Sequence, residues 1–164
     1  MSGRTLVAGV GNVFLRDDAF GVEVVRLLAE RPVPDGVQVK DFGIRGVHLA
    51  YELMDGFQSL VLIDAVPLGE EPGTLAVLEP DLESLQDHAA PLDAHSMSPA
   101  VVLATLTRLG GRVKRVLVVG CQPAHTEEGI GLSPSVAAAV EPAVNLCCQV
   151  VADLHQRSGK ESAA

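Results

Sequence analysis

Apolar positions fall along the chain in two patterns, short apolar runs and longer segments with helical spacing. The short runs predict five strands, over 5–10, 37–42, 60–64, 74–78 and 113–119. Apolar residues at helical spacing predict helices over 18–30 and 44–55. Two Ser-Pro pairs predict the starts of further helices, over 98–109 and from 133 onward, because proline is favoured at the first helical position.

The order of these elements, β-α-β-α-β-β-α-β-α, predicts an α/β sandwich with a five-stranded, mostly parallel mixed sheet. The link between the third and fourth strands is too short for a helical crossover, so we expect the fourth strand to pair antiparallel at an edge. Without a repeat or a linker, residues 1–157 form one predicted domain. The small polar residues of 158–164 predict a flexible tail.

Composition and charge narrow the classes of function. The 164 residues are 48% apolar, enough for a buried core, and their formal net charge is -9. A chain with this excess of negative charge is expected to bind nucleic acid and anionic membrane surfaces only weakly, because like charges repel. Two of the three cysteines are adjacent, Cys147 and Cys148, which indicates a reducing compartment without disulfides. Polar residues interrupt the apolar stretch 136–154, and we expect a cytoplasmic protein without a membrane span or targeting segment.

Acidic residues follow three of the predicted parallel strands. Asp17 and Asp18 come after the first strand, Asp41 ends the second and Asp64 ends the third. Because ligands of such sheets bind beyond the carboxyl ends of the strands, these acids predict an acidic rim at one edge. An acidic rim is suited to a cation or to a positively charged substrate.

Three residues of this region form a candidate metal site. Asp18 and Asp64 fall at the same sheet edge, and His95 lies in the loop before the 98–109 helix, which could fold over that edge. Two carboxylates and an imidazole leave open positions for outside ligands. Simpler interpretations stand beside this one: Asp17 or Asp18 as a helix N-cap, Asp64 as the start of a turn, and His95 as a solvated loop residue.

Two other sites have weaker support in the sequence. The run Gly9-Val10-Gly11 between a strand and a helix invites a dinucleotide interpretation, but Phe14 replaces the third glycine and two aspartates would face the pyrophosphate. Cys121, at the end of the fifth strand, is placed either as a nucleophile or as a buried spacer, and the surrounding residues lack a nucleophile-elbow motif.

Several motifs, in order, resemble those of the hydrogenase maturation peptidases, which cut the C-terminal extension from the large subunit of nickel–iron hydrogenases. The likeness covers residues 6–154. The motifs are GVGNVFLRDDAFG at 9–21, IDAV at 63–66, PGT at 72–74, DAHS at 93–96, GIGLSP at 129–134 and EPA at 141–143. Several motifs in the right order are specific, whereas one alone is weak.

This resemblance implies a three-layer α/β/α sandwich, and an endopeptidase acting on a large-subunit precursor that already carries nickel. Its metal ligands correspond to Asp18, Asp64 and His95, which would recognise nickel brought by the substrate. The protein itself would be a monomer without a tightly bound organic cofactor. The alternative is a non-catalytic, metal-sensing chaperone of a metalloenzyme subunit with the same three ligands.

The same resemblance implies a substrate loop after the second strand. The family often has Asp-x-Gly-Thr-x-Gly there, and this chain has DFGIRG at 41–46. Gly43, Arg45 and Gly46 are therefore candidate substrate contacts, with Ile44 and Arg45 as departures from the family pattern. Asp41 is a candidate general base for hydrolysis.

Overall fold

A computed structural model describes residues 3–82 and 99–163, with the side chain of Pro99 and those beyond Gln156 left aside. The strands are β1 (Arg4–Val10), β2 (Val37–Gly43), β3 (Phe57–Ala65), β4 (Leu75–Leu78) and β5 (Arg115–Cys121). The helices are α1 (Phe20–Leu28), α2 (Gly46–Leu53), α3 (Pro99–Arg108) and α4 (Pro134–Ala163), with a 3-10 turn at Arg16–Ala19. His95 lies outside the described residues.

Within this part of the chain, five strands form one mixed sheet in the order β2-β1-β3-β5-β4. The strands β2, β1, β3 and β5 run parallel, and β4 pairs antiparallel with β5 at the edge. The prediction of an antiparallel fourth strand at an edge is confirmed. The nine residues between β3 and β4 reverse the chain without a helix, which leaves only the antiparallel direction open.

Helices cover both faces of the sheet, so the molecule has the predicted three layers. On one face α1 packs against α4, and on the other α2 packs against α3. The α1/α4 face includes the buried side chains Val7, Phe20, Val61, Ile63, Val119 and Val144. The α2/α3 face includes Leu6, Ala8, Leu49, Leu53, Leu62 and Leu106. Successive residues of β1 and β3 therefore contribute to opposite cores, as the pleat of a strand requires.

The last helix is longer and more apolar than its polar interruptions suggested. Its segment Pro134–Gln156 is long and apolar enough to cross a membrane by length and composition alone, contrary to the sequence-based expectation. Nearly half of the most apolar window, 44%, is buried within the domain, which is the arrangement of a core helix. The helical backbone continues to Ala163, through the residues for which the sequence predicts a flexible tail.

Gly21 brings α1 close to the sheet. A Cβ atom at this position would overlap the carbonyl oxygens of Ile63 and Val10, so only glycine allows the helix to begin this near to β1 and β3. The 3-10 turn before α1 contacts β3 as a result. This close approach carries the two aspartates of the turn to the carboxyl end of β3.

Candidate active site at the carboxyl edge of the sheet

Asp18 lies in the 3-10 turn between β1 and α1, and the backbone holds its carboxylate in place. Its Oδ2 atom accepts a hydrogen bond from the Asn12 amide at 2.8 Å. The N-cap positions of the turn and of α1 are Leu15 and Ala19, so the helix-capping interpretation of Asp17 and Asp18 is wrong. Asp18 is partly exposed and faces the carboxyl edge of the sheet with one oxygen not bonded to Asn12.

Asp64 is the penultimate residue of β3 and lies close enough to Asp18 for the two charges to interact. Because side chains alternate along a strand, Asp64 lies on the same α2/α3 face as Leu62, two residues before it. It lines a cleft with Leu62 and Val118. Burial, and then the negative charge of Asp18, raise the pKa of Asp64 to about 8. Burial and the like charge of Asp18 therefore both oppose ionisation of the Asp64 carboxyl. Asp64 sits within the strand, so the turn interpretation is wrong.

The third predicted ligand cannot be placed beside this pair, because His95 lies outside the described residues. Among the residues that are described, no group of three histidine, cysteine or acidic side chains is placed to hold a metal ion. The donors that the fold brings together are thus the oxygens of Asp18 and Asp64. Carboxylate oxygens suit many divalent cations, and a pair leaves room for further ligands.

Asp41 is separated from this pair by the pleat of the sheet. Side chains alternate along β2, so Asp41 lies on the same α1/α4 face as Val39, two residues before it. The next residue, Phe42, is buried in the α2/α3 core. Asp64 belongs to the α2/α3 face. The Asp41 side chain is exposed, and its Oδ1 atom accepts a hydrogen bond from the Gly43 amide at 2.8 Å. The structure therefore places Asp41 on the sheet face opposite that of Asp64.

Hydrogen bonds stabilise the predicted substrate loop internally and connect it to the first motif, at 9–21. The Arg45 guanidinium donates hydrogen bonds to the backbone carbonyls of Asp41, at 2.8 Å, and Phe42, at 3.2 Å. Gly43 has a φ of 54°, in the left-handed region that favours glycine, and its carbonyl accepts from the Gly11 amide at 2.9 Å. Gly46 begins α2. The loop stands beside the first motif at the same sheet edge.

Asp17 has a structural role at this edge that differs from the rim position and the helix cap considered from the sequence. Its side chain is completely buried. Its Oδ1 accepts from the Ser133 amide at 2.7 Å, and its Oδ2 accepts from the Ala124 and His125 amides and the Ser133 hydroxyl, all at 2.8 Å. Burial raises the pKa of Asp17, but the hydrogen bonds together outweigh it and hold the pKa below the usual value.

These bonds fix the 3-10 turn to the loop between β5 and α4. Backbone bonds from Arg16 to Gly129 and from Asp17 to His125 continue the attachment. Asp18, the next residue, is therefore held by two segments that are more than 100 residues apart in sequence. The adjacent pair of aspartates was the only signal of this role in the sequence.

Two further predictions about this edge are decided by burial and hydrogen bonding. Cys121 is fully buried, and burial, helped by the Asp17 charge, raises the pKa of its thiol to about 11, so it is a buried spacer rather than a nucleophile. The amides that would hold a pyrophosphate are already used, since Gly11 donates to Gly43 and Asn12 donates to Asp18. The dinucleotide interpretation is wrong for this reason.

Comparisons with known proteins identify the family of this chain. Residues 22–150 match the family model for hydrogenase maturation proteases (HycI). The hydrogenase 2 maturation protease of Escherichia coli K12 is 36% identical over 161 residues, which cover 97% of this chain and 94% of that protein. The hydrogenase expression/formation protein HupD of Bradyrhizobium diazoefficiens is 34% identical over 152 residues, 92% of this chain and 79% of that protein.

Solved structures show the same likeness in three dimensions. The hydrogenase-maturating endopeptidase HybD of E. coli superposes with a TM-score of 0.75 at 35% identity, covering 94% of this chain and 93% of that one. A hydrogenase 2 maturation peptidase from a Thaumarchaeota archaeon gives 0.70 at 32% identity, covering 91% and 98%. The chain therefore belongs to the hydrogenase maturation protease family and is a peptidase.

Proposed function

We propose that this peptidase removes the C-terminal extension from the large-subunit precursor of a nickel–iron hydrogenase, and that Asp18 and Asp64 recognise the nickel that the precursor carries. The observation that supports this most is the pairing of the two carboxylates at the carboxyl edge. The raised pKa of Asp64 means that the pair is unfavourable as two anions, since burial and like charge both oppose it. A cation from outside removes that penalty.

The chemistry of the pair suits nickel presented by a substrate. Nickel accepts mixed oxygen and imidazole ligands, and His95 is proposed as the third ligand. The precursor would complete the coordination with its own groups. An empty precursor offers the pair nothing to bind, so we expect it to be cut poorly, and the peptidase acts as a check on nickel loading.

The setting follows from the same proposal. We propose that the protein acts in the cytoplasm as a monomer, without a tightly bound organic cofactor, and engages the precursor transiently. Because the protein has a formal net charge of -9, a cation carried by the substrate would be complementary in charge to its acidic edge.

The decisive experiment compares nickel-loaded and nickel-free precursor. The protein is incubated with each, and intact-mass spectrometry follows the appearance of a C-terminally shortened large subunit. We expect shortening of the loaded precursor and at least about tenfold slower shortening of the empty one. Binding of the loaded precursor without any shortening would support the metal-sensing chaperone instead, and equal rates for both precursors would rule out recognition of nickel.

Apolar side chains around the acidic edge fit a protein substrate. Phe14 is 64% exposed and Ile130 is 81% exposed. The two are neighbours, because the Gly129 amide donates to the Phe14 carbonyl at 2.9 Å. Exposed apolar residues grouped at one place favour contact with another protein surface.

Replacing both residues tests this contact. We expect the double variant Phe14→Ser, Ile130→Ser to raise KM for the loaded precursor about tenfold and to leave kcat unchanged, because the lost apolar contact serves binding alone. Leu27→Ser is the matched control: Leu27 is also exposed but lies near the end of α1, away from the carboxyl edge. A fall in kcat with an unchanged KM would contradict the docking role.

A further inference from the structure

An apolar stripe runs along the outer side of α2, whose inner side is buried in the α2/α3 core. Val47, Tyr51 and Met54 are spaced i, i+4 and i+7, so they lie on one side of the helix. Their exposed fractions are 48%, 59% and 42%. Ile44, which is 50% exposed, precedes them in the predicted substrate loop. These four residues, the α2 stripe, begin at the carboxyl edge and follow the helix away from it.

The polar side chains of α2 lie beside the stripe rather than within it. Glu52 is directed toward the edge strand β2, where its Oε2 atom lies 3.4 Å from Lys40 Nζ and its Oε1 atom accepts from Gln38 at 3.2 Å. His48, one turn before Glu52, is exposed on that same side. The stripe is thus an uncharged surface on a chain with a net charge of -9, and a partner would meet it through apolar contact.

The size and position of the stripe decide between kinds of occupant. A whole aromatic side chain buries only about 150–250 Å², so four half-exposed side chains offer roughly 400 Å² at most. A stable dimer needs about 800 Å² from each copy, so the stripe is too small to hold a second copy permanently. It is large enough to contribute to a transient contact. A folded protein that presents a segment of its chain to the carboxyl edge comes close to the stripe, because the stripe begins there.

We propose that the α2 stripe binds the folded body of the large-subunit precursor, outside the extension that is cut. The inference rests on the proposed processing reaction and adds to it a contact that does not depend on nickel. The nickel-free precursor should therefore dock on the stripe even though it is cut poorly. The matching surface of the precursor is apolar, since a charge buried against the stripe would lose its hydration without gaining a partner.

The first test uses Tyr51, which is the only tyrosine of the chain. Protein labelled with fluorotyrosine gives one fluorine resonance in NMR, and unlabelled nickel-free precursor is titrated into it. We expect the resonance to shift or broaden until it saturates, because docking removes the ring from water. A resonance that stays unchanged throughout the titration would overturn the inference. A resonance that moves with the concentration of the protein alone would place a second copy on the stripe and overturn it too.

The second test removes apolar side chains and keeps Tyr51 as the probe. We expect Val47→Ser, Met54→Ser to raise Kd for the nickel-free precursor about tenfold. Val47→Ser alone should raise it about threefold, and this variant carries the test if circular dichroism shows that the double variant is not folded. His48→Ser is the matched control, since His48 is exposed on the same helix but beside the stripe. An unchanged Kd in Val47→Ser, or an equal rise in His48→Ser, contradicts docking on the stripe.

These outcomes are separate from a failure of the proposed function. If the wild-type protein shortens no precursor but the Tyr51 resonance responds to it, the processing function fails and the docking surface stands. If the protein shortens the loaded precursor while the nickel-free precursor leaves the resonance unchanged, the processing function stands and the docking surface is overturned.

Discussion

Asp64→Asn is expected to abolish processing and at the same time to make the protein more stable at pH 8. Asparagine keeps the size of the side chain but gives up the negative oxygen proposed to bind nickel. We expect kcat/KM for the loaded precursor to fall by about a hundredfold or more, as when one electrostatic group is lost from a catalytic site. The measurement is the rate of C-terminal shortening under single-turnover conditions.

The gain in stability follows from the pKa of Asp64, which is raised from its ordinary value of 3.8 to about 8 in the folded protein. Between these values the folded state binds more protons than the unfolded state, so the free energy of unfolding falls as the pH rises from about 4 to about 8. Asparagine does not titrate. The variant should therefore gain stability relative to wild type as the pH rises from about 4 to about 8, by several kcal/mol at the upper end.

Urea unfolding at pH 4.5 and pH 8.5 measures this difference. Asp55→Asn is the control, because Asp55 is exposed at the opposite end of β3, and neither activity nor stability should change. A variant that cuts loaded precursor at the wild-type rate would exclude Asp64 from the reaction. A variant that is less stable than wild type at pH 8.5 would show that the carboxylate is not strained by burial and Asp18.

Asp17→Asn is expected to destabilise the protein by about 3 kcal/mol at pH 7, the largest loss we expect from a single change at this edge. The Asp17 carboxylate accepts four hydrogen bonds while fully buried. An asparagine side chain replaces one acceptor oxygen with an NH2 group, which is itself a donor. The NH2 group cannot accept hydrogen bonds from the buried amides of the loop between β5 and α4, so these amides lose their partner. Chemical denaturation monitored by circular dichroism measures the loss.

The pH dependence of this variant should be opposite to that of Asp64→Asn. The pKa of Asp17 is lowered in the folded protein, so its contribution to stability is present above the ordinary value of 3.8 and is lost as the pH falls through the folded value. The difference between Asp17→Asn and wild type should therefore shrink below about pH 4. Ser133→Ala, which removes only the hydroxyl donor, should cost about 1 kcal/mol. If Asp17→Asn costs no more than Ser133→Ala, the four-bond account is wrong.

The two variants together separate structure from chemistry at this edge. Asp17 and Asp64 are both acids near Asp18, but their surroundings differ. Asp17 is stabilised as an anion by donors on every side, whereas Asp64 meets aliphatic walls and a like charge. Environment therefore decides the ionisation of each carboxylate, favouring the anion at Asp17 and opposing it at Asp64.

The sequence by itself determined the layers and most of the elements. Short apolar runs, helical spacing and two Ser-Pro pairs located the five strands and four helices of the described residues to within a few residues, and the short link before β4 determined its direction. Asp18 and Asp64 could be placed together because the carboxyl ends of neighbouring parallel strands meet at one edge. These conclusions rest on local periodicity and on chain connectivity, which a sequence records directly.

Only the tertiary structure decided what each acid at that edge does. The pleat puts Asp41 on the face opposite Asp64, and a shift in the pairing of β1 with β2 occurs just beside it. The donors of Asp17 come from a loop more than 100 residues away. Burial sets the protonation of Asp64. Each of these depends on contacts between distant segments and on exclusion of water, which no local pattern of residues encodes.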